Sequence, residues 1–179
     1  TAGYDIQTSY SMDAFAGELT FGLTATKVET FEFTETTLDG YVLDPGEDRL
    51  GFLNFATIAS AASEWRGNFS TNYSQGIHNV RGVINYVSGV DDERGPITPD
   101  GRQPGTLLPF GETDYGVNGE DWVVADLHYT IDMEWATLTA SVANITDEDP
   151  PESRQELGYD PRIGNPLGRT FEVGIRKEF

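Results

Sequence analysis

Asp121-Trp122-Val123-Val124-Ala125-Asp126-Leu127-His128-Tyr129-Thr130-Ile131 is followed, across residues 132–135, by Ala136-Thr137-Leu138-Thr139-Ala140-Ser141-Val142-Ala143-Asn144-Ile145. Both halves repeat with a period of two. Val123, Ala125, Leu127, Tyr129 and Ile131 are set against Val124, Asp126, His128 and Thr130; Ala136, Leu138, Ala140 and Val142 are set against Thr137, Thr139, Ser141 and Ala143. Successive side chains of a strand point to opposite faces, so this stretch predicts a hairpin with one apolar and one polar face. The same alternation recurs outward along the chain. It places Tyr4, Ile6, Tyr10 and Met12 on one face of residues 3–12, and Leu19, Phe21, Leu23 and Ala25 on one face of residues 18–33. Residues 64–75, 77–90 and 168–179 complete a set of seven predicted strands, the last carrying Phe171, Val173, Ile175 and Phe179. Short turns alternate with three long connections, residues 34–63, 91–120 and 146–167, the first centred on a turn cluster at Asp44-Pro45-Gly46-Glu47-Asp48.

Composition narrows the class. The chain has 179 residues, with Lys+Arg 11 against Asp+Glu 30 and a net charge of -19, which excludes nucleic acid and the anionic inner leaflet as electrostatic partners. With Cys 0, disulfide frameworks, thiolate metal sites and cysteine nucleophiles are excluded together. The longest uncharged stretch, residues 50–63, is rich in Ala and Ser and does not make a transmembrane helix. Aromatics at 12%, with Gly and Pro placed between the alternating runs, speak against a disordered acidic segment. The opening residues carry no leader pattern, so the chain is expected to be a piece of a longer protein. A strict short-long order of connections is the habit of membrane barrels, whereas soluble sandwiches mix loop lengths. A strand of about ten residues tilted by about 45° spans about 23 Å, close to the apolar band of an outer-membrane barrel. A soluble sandwich produces the same alternation of faces, so periodicity alone leaves both architectures open.

Three stretches bear on that choice: Ser63-Glu64-Trp65-Arg66-Gly67-Asn68, Ala143-Asn144-Ile145-Thr146-Asp147-Glu148-Asp149-Pro150-Pro151, and Gly158-Tyr159-Asp160-Pro161 through Asn165-Pro166-Leu167-Gly168-Arg169-Thr170-Phe171 to Phe179. In these the whole chain, residues 1–179, resembles the C-terminal part of a TonB-dependent outer-membrane receptor. The resemblance implies an all-β fold, a transmembrane antiparallel β-barrel of about 22 strands closed by a plug, of which this chain supplies about seven meander strands. It implies location in the bacterial outer membrane, with lipid around the barrel. The activity implied is TonB-energised import of a scarce solute such as siderophore-bound iron, cobalamin, another metal chelate or an oligosaccharide, with no enzymatic activity and no cofactor. Contact with the TonB complex would run through an N-terminal region that this chain lacks. The final strand would be read by the barrel-assembly machinery through Glu172, Gly174 and Phe179; Lys177 departs from the family's apolar pattern.

Candidate site residues are few. Arg66, Asp126 and His128 are expected to face the lumen and to contact a small-molecule ligand. Arg66 offers a bidentate fork to a carboxylate or phosphate, or pairs with a neighbouring acid. Asp126 and His128, two apart on one face, can reach a common ion or form a lumen hydrogen-bond pair; no third metal ligand accompanies them. The acid-rich long connections suit either divalent cations or a solvated outer surface, without an EF-hand pattern. No Gly-x-Ser-x-Gly or phosphate-loop motif occurs. Trp65 at the outer strand ends, and Trp135, Phe15 and Phe179 at the inner ends, fall where interfacial aromatics belong, while Trp122 is aimed inward by the alternation. A secreted soluble β-sandwich that binds carbohydrate through Trp and acidic loops is the alternative reading.

Overall fold

The computed structural model describes residues 1–54, 61–94 and 117–177. Among them every regular element is a strand: β1 Ala2–Ala14, β2 Gly17–Thr30, β3 Glu32–Phe33, β4 Thr36–Leu38, β5 Tyr41–Asp44, β6 Glu47–Asp48, β7 Trp65–Gln75, β8 His78–Val87, β9 Trp122–Met133, β10 Ala136–Ala143 and β11 Thr170–Arg176. The seven long strands form one antiparallel sheet in the order β1-β2-β7-β8-β9-β10-β11. This is a meander, in which each strand pairs with the next long one. The sheet is open, with β1 and β11 at its two edges.

Directly opposed residues of an antiparallel pair share a face, so the register converts the sequence alternation into rows that cross the sheet. Met12, Leu19, Tyr73, Val80, Tyr129, Ala140 and Val173 make one row, and Tyr10, Phe21, Thr71, Gly82, Leu127, Val142 and Phe171 the next. The reverse face carries Ser11, Thr20, Asn72, Arg81, His128, Ser141 and Glu172 in a single row. The apolar face is uncovered: Tyr10 is 64% exposed, Phe171 74% and Val173 84%. Leu127, Tyr129, Leu138, Val142, Phe171, Val173 and Ile175, expected together on the outward face, do share it, and none is buried.

The buried apolar cluster lies elsewhere, in the long connections. Leu53, Ala61, Val90 and Ile163 pack together, with Val87 and Trp122 against them. This explains Trp122, the first residue of β9, which pairs with Val87 on the polar face and packs its ring against the buried cluster of loop residues.

One expectation is corrected. The first long connection is not a plain loop turning at residues 44–48; it carries a nested hairpin in which β4 pairs with β5 and β3 with β6. Its turn is Asp39-Gly40, with φ of 50° and 83°. Both central residues of a type I′ turn need positive φ, and Asp-Gly supplies it more cheaply than the Pro-containing cluster could. Part of the second connection, with Pro96, Pro99, Pro104 and Pro109, lies outside the described residues, as does Phe179.

Candidate functional site

β7 sets Arg66 opposite Thr26 on one side and Val87 on the other, which fixes it on the polar face at the end where the long connections join. The Arg66 side chain is exposed, and among the described residues it makes no ion pair, whereas Arg49, Arg94, Arg154, Arg162 and Arg169 each meet a carboxylate within 4.0 Å. A groove of about 480 Å³ opens beside it, walled by β1, β2 and the first long connection. Val28, Phe31 and Leu50 line that groove together with Asp5 and Arg66, while the Lys27 side chain lies on the opposite face of the sheet, against Trp65.

Asp126 and His128 sit on the same face, as the alternation requires, but they do different work. Both Asp126 oxygens are taken: Oδ2 accepts from Asn85 Nδ2 at 2.9 Å and Oδ1 from the Asn144 backbone N–H at 2.8 Å. Asn144 stands at φ 52°, so the carboxylate holds the strained residue where β10 leaves the sheet. His128 is exposed between Arg81 and Ser141 in register. Arg66 lies nearer the loops than either, so the structure does not gather the three into one pocket. Among the described residues no group of three or more His, Asp and Glu is placed to hold a metal ion.

Trp65 opens β7 with its ring 5.5 Å from Lys27 Nζ, a cation–π contact between register partners. Trp135 stands 59% exposed in the β9–β10 turn at the opposite end. His78 stacks on Tyr129 with Nδ1 2.7 Å from the phenol oxygen. Gly174 faces Thr139, whose Oγ1 would stand 2.6 Å from a Cβ at that position, so the strand tolerates no larger residue without moving the threonine.

Sequence reasoning missed what joins the long connections. Asp92 has no solvent-accessible side-chain surface and is gripped by two guanidinium groups. Arg94 donates from Nη2 at 2.6 Å and from Nε at 2.9 Å, and Arg154 donates from Nε at 2.8 Å. Arg94 Nη2 also donates to the Arg154 carbonyl at 3.1 Å, so one short network ties the second connection to the third. Burial by itself would raise the Asp92 pKa; the Arg94 side chain and backbone N–H, with the Arg154 charge, outweigh it and hold the carboxyl below its ordinary value. Backbone bonds Leu53 N–H to Asp91 O at 2.8 Å and Asp91 N–H to Gly51 O at 2.8 Å add the first connection. A weak sequence signal existed, since Arg94 and Arg154 each stand inside an otherwise acidic run. No protein-family model matches the chain, and no curated protein or solved structure matches it either.

Proposed function

We propose that this chain forms part of the wall of an outer-membrane β-barrel, the C-terminal part of a TonB-dependent receptor that imports a scarce solute. The observation that supports it is the apolar face, which crosses all seven long strands without a second layer over it among the described residues. Among the described residues the buried cluster is Leu53, Ala61, Val90 and Ile163, and its three larger side chains, at about 2 kcal/mol each, are too few to hold such a sheet in water. Lipid against that face supplies the missing neighbour. The rims fit as well: Tyr4, Lys27 and Trp65 share a row at the loop end, and Tyr73, Tyr129, Phe15 and Trp135 gather at the short-turn end. From Trp65 to Tyr73 the strand is about 26 Å long at ~3.3 Å per residue, reduced to about 20 Å by a tilt of about 40°, against about 25 Å for the apolar band of such barrels.

In this reading the polar face lines the lumen, and Arg66 and the joined long connections meet the solute. Siderophore-bound iron, cobalamin, another metal chelate and an oligosaccharide remain the solute classes. The acidic surface at the mouth disfavours strongly anionic ones. TonB would act through the N-terminal region, and the barrel-assembly machinery through β11. The test is membrane fractionation of the full-length protein with gel migration before and after heating. A heat-modifiable species in the outer membrane is expected, and a soluble monomer with no heat-dependent shift would overturn the proposal and favour the sandwich reading. Uptake assays in a deletion strain would then choose the solute.

A further inference from the structure

We propose that the nested hairpin of residues 32–48 is a docking site for a basic partner protein, which adds an extended segment bearing Lys or Arg to the edge of the ribbon. This interaction lies beyond solute import and holds whether or not the sheet sits in lipid. Exposure is the first argument. Every residue from 32 to 43 is exposed, and Leu38 and Tyr41, directly opposed beside the Asp39-Gly40 turn, are 61% and 78% exposed. Phe33, Val42 and Leu43 are exposed as well. Single exposed apolar residues are ordinary on a surface, but this many within one hairpin mark an interaction site. Pairing is the second argument: β3 is bonded to β6 and β4 to β5 in sheets of two strands, so among the described residues the ribbon has no third strand. A two-stranded hairpin is marginal in water, and the unpaired N–H and C=O groups along its edges accept an added strand.

Charge selects the occupant. Residues 32–48 hold Glu32, Glu35, Asp39, Asp44, Glu47 and Asp48 and no Lys or Arg. Asp44 and Asp48 accept backbone N–H groups, and Glu47 meets Arg49 at 2.6 Å. Glu32, Glu35 and Asp39 have no cation within 4.0 Å among the described residues. Glu32 and Asp48 are moreover directly opposed in register, a like-charge pair that costs stability until a cation joins it. A segment carrying both basic and apolar residues answers both features, with its cations against these carboxylates and its apolar side chains against Leu38 and Tyr41. A second copy brings the same carboxylates to the same edge and is repelled. Lipid is disfavoured too, because Asp39 stands at the tip between Leu38 and Tyr41 and would enter the bilayer with them.

The probe is a synthetic ten-residue peptide alternating lysine with valine, compared with one of equal charge in which two central valines are replaced by proline. Binding is measured by titration against the purified full-length protein at about 0.15 M salt, where diffuse attraction to the other acidic connections is screened. The alternating peptide is expected to bind at least about tenfold more tightly than the proline peptide, which cannot extend a ladder. Leu38→Ser with Tyr41→Ser keeps the charge and should remove about that factor. Glu35→Gln with Asp39→Asn should do the same. Asparagine suits positive φ as well as aspartate does, so this pair keeps the turn and reads the charge independently of how the first pair folds. Equal binding of the two peptides, or unchanged affinity in both double variants, overturns the docking site. Self-association, or binding to phosphatidylcholine vesicles, that both double variants abolish would assign the hairpin to a second copy or to lipid and equally overturn the basic partner.

Discussion

Asp92 is a carboxylate out of contact with solvent, and its charge is tolerable only because Arg94 and Arg154 surround it. Replacing it with asparagine keeps the shape and removes the carboxylate that two guanidinium groups, one of them 9% exposed, both contact. Asp92→Asn should cost on the order of 3 kcal/mol, the usual penalty for breaking a buried pair from one side. The loss should be local: faster amide exchange in residues 88–94 and 150–163, with the sheet unchanged. The pH dependence has a definite sign. Because the folded pKa is depressed, the stabilisation is complete above the unfolded value of about 3.9 and disappears as pH falls through the lower folded value. Exchange in these connections, corrected for intrinsic rates, should therefore match at pH 7 and pH 5 and rise only below about pH 4. A rise already complete at pH 5 would show that the ion network does not join them.

The β1–β2 hairpin contains a local conflict. Phe15 and Ala16 stand at φ 51° and 62°, the left-handed conformation that a two-residue turn of this kind demands, and neither is a residue that adopts it readily. Neighbours hold the turn in place: the Phe15 carbonyl accepts from the Tyr73 hydroxyl at 2.6 Å and from Gln75 Nε2 at 3.4 Å. The double substitution Phe15→Asn with Ala16→Gly should raise unfolding stability by about 1–2 kcal/mol in a urea titration of protein folded into lipid vesicles. No gain would mean that the Phe15 side chain contributes as much as its backbone conformation loses. At this scale the sequence was most legible. Period-two alternation located all seven long strands to within a few residues, since a one-residue slip would move every apolar side chain to the wrong face. The nested hairpin escaped because β4 and β5 are too short to show a period, although Asp39-Gly40 was its signature. Arg66 was placed on its face by alternation alone. The groove beside it was not, because Phe31 and Leu50 reach it from a connection whose path no local pattern encodes. The Asp92–Arg154 contact, 62 residues apart along the chain, is illegible for the same reason.

For the molecule as a whole, the two faces of the sheet make opposite demands on a new charge. Leu127→Arg, in the middle of the apolar face, should cost about 2–4 kcal/mol in lipid vesicles, while Ser141→Arg on the reverse face should change stability by no more than about 0.5 kcal/mol. Equal small effects would mean that no lipid touches Leu127. Residues 178–179 lie outside the described structure, and the family resemblance assigns Phe179 to assembly. Deleting it from the full-length protein should lower the heat-modifiable fraction in the outer membrane, and Lys177→Leu should leave that fraction equal or higher. Normal amounts after the deletion would remove Phe179 from assembly. The edges of the sheet carry a last consequence, which is one of parity. Seven is odd, so in a strictly antiparallel meander β1 and β11 run in the same direction. Bending this sheet until its edges touch would lay parallel strands side by side. A ring that is antiparallel throughout needs an odd number of additional strands, or a second copy arranged so that like edges meet about a twofold axis.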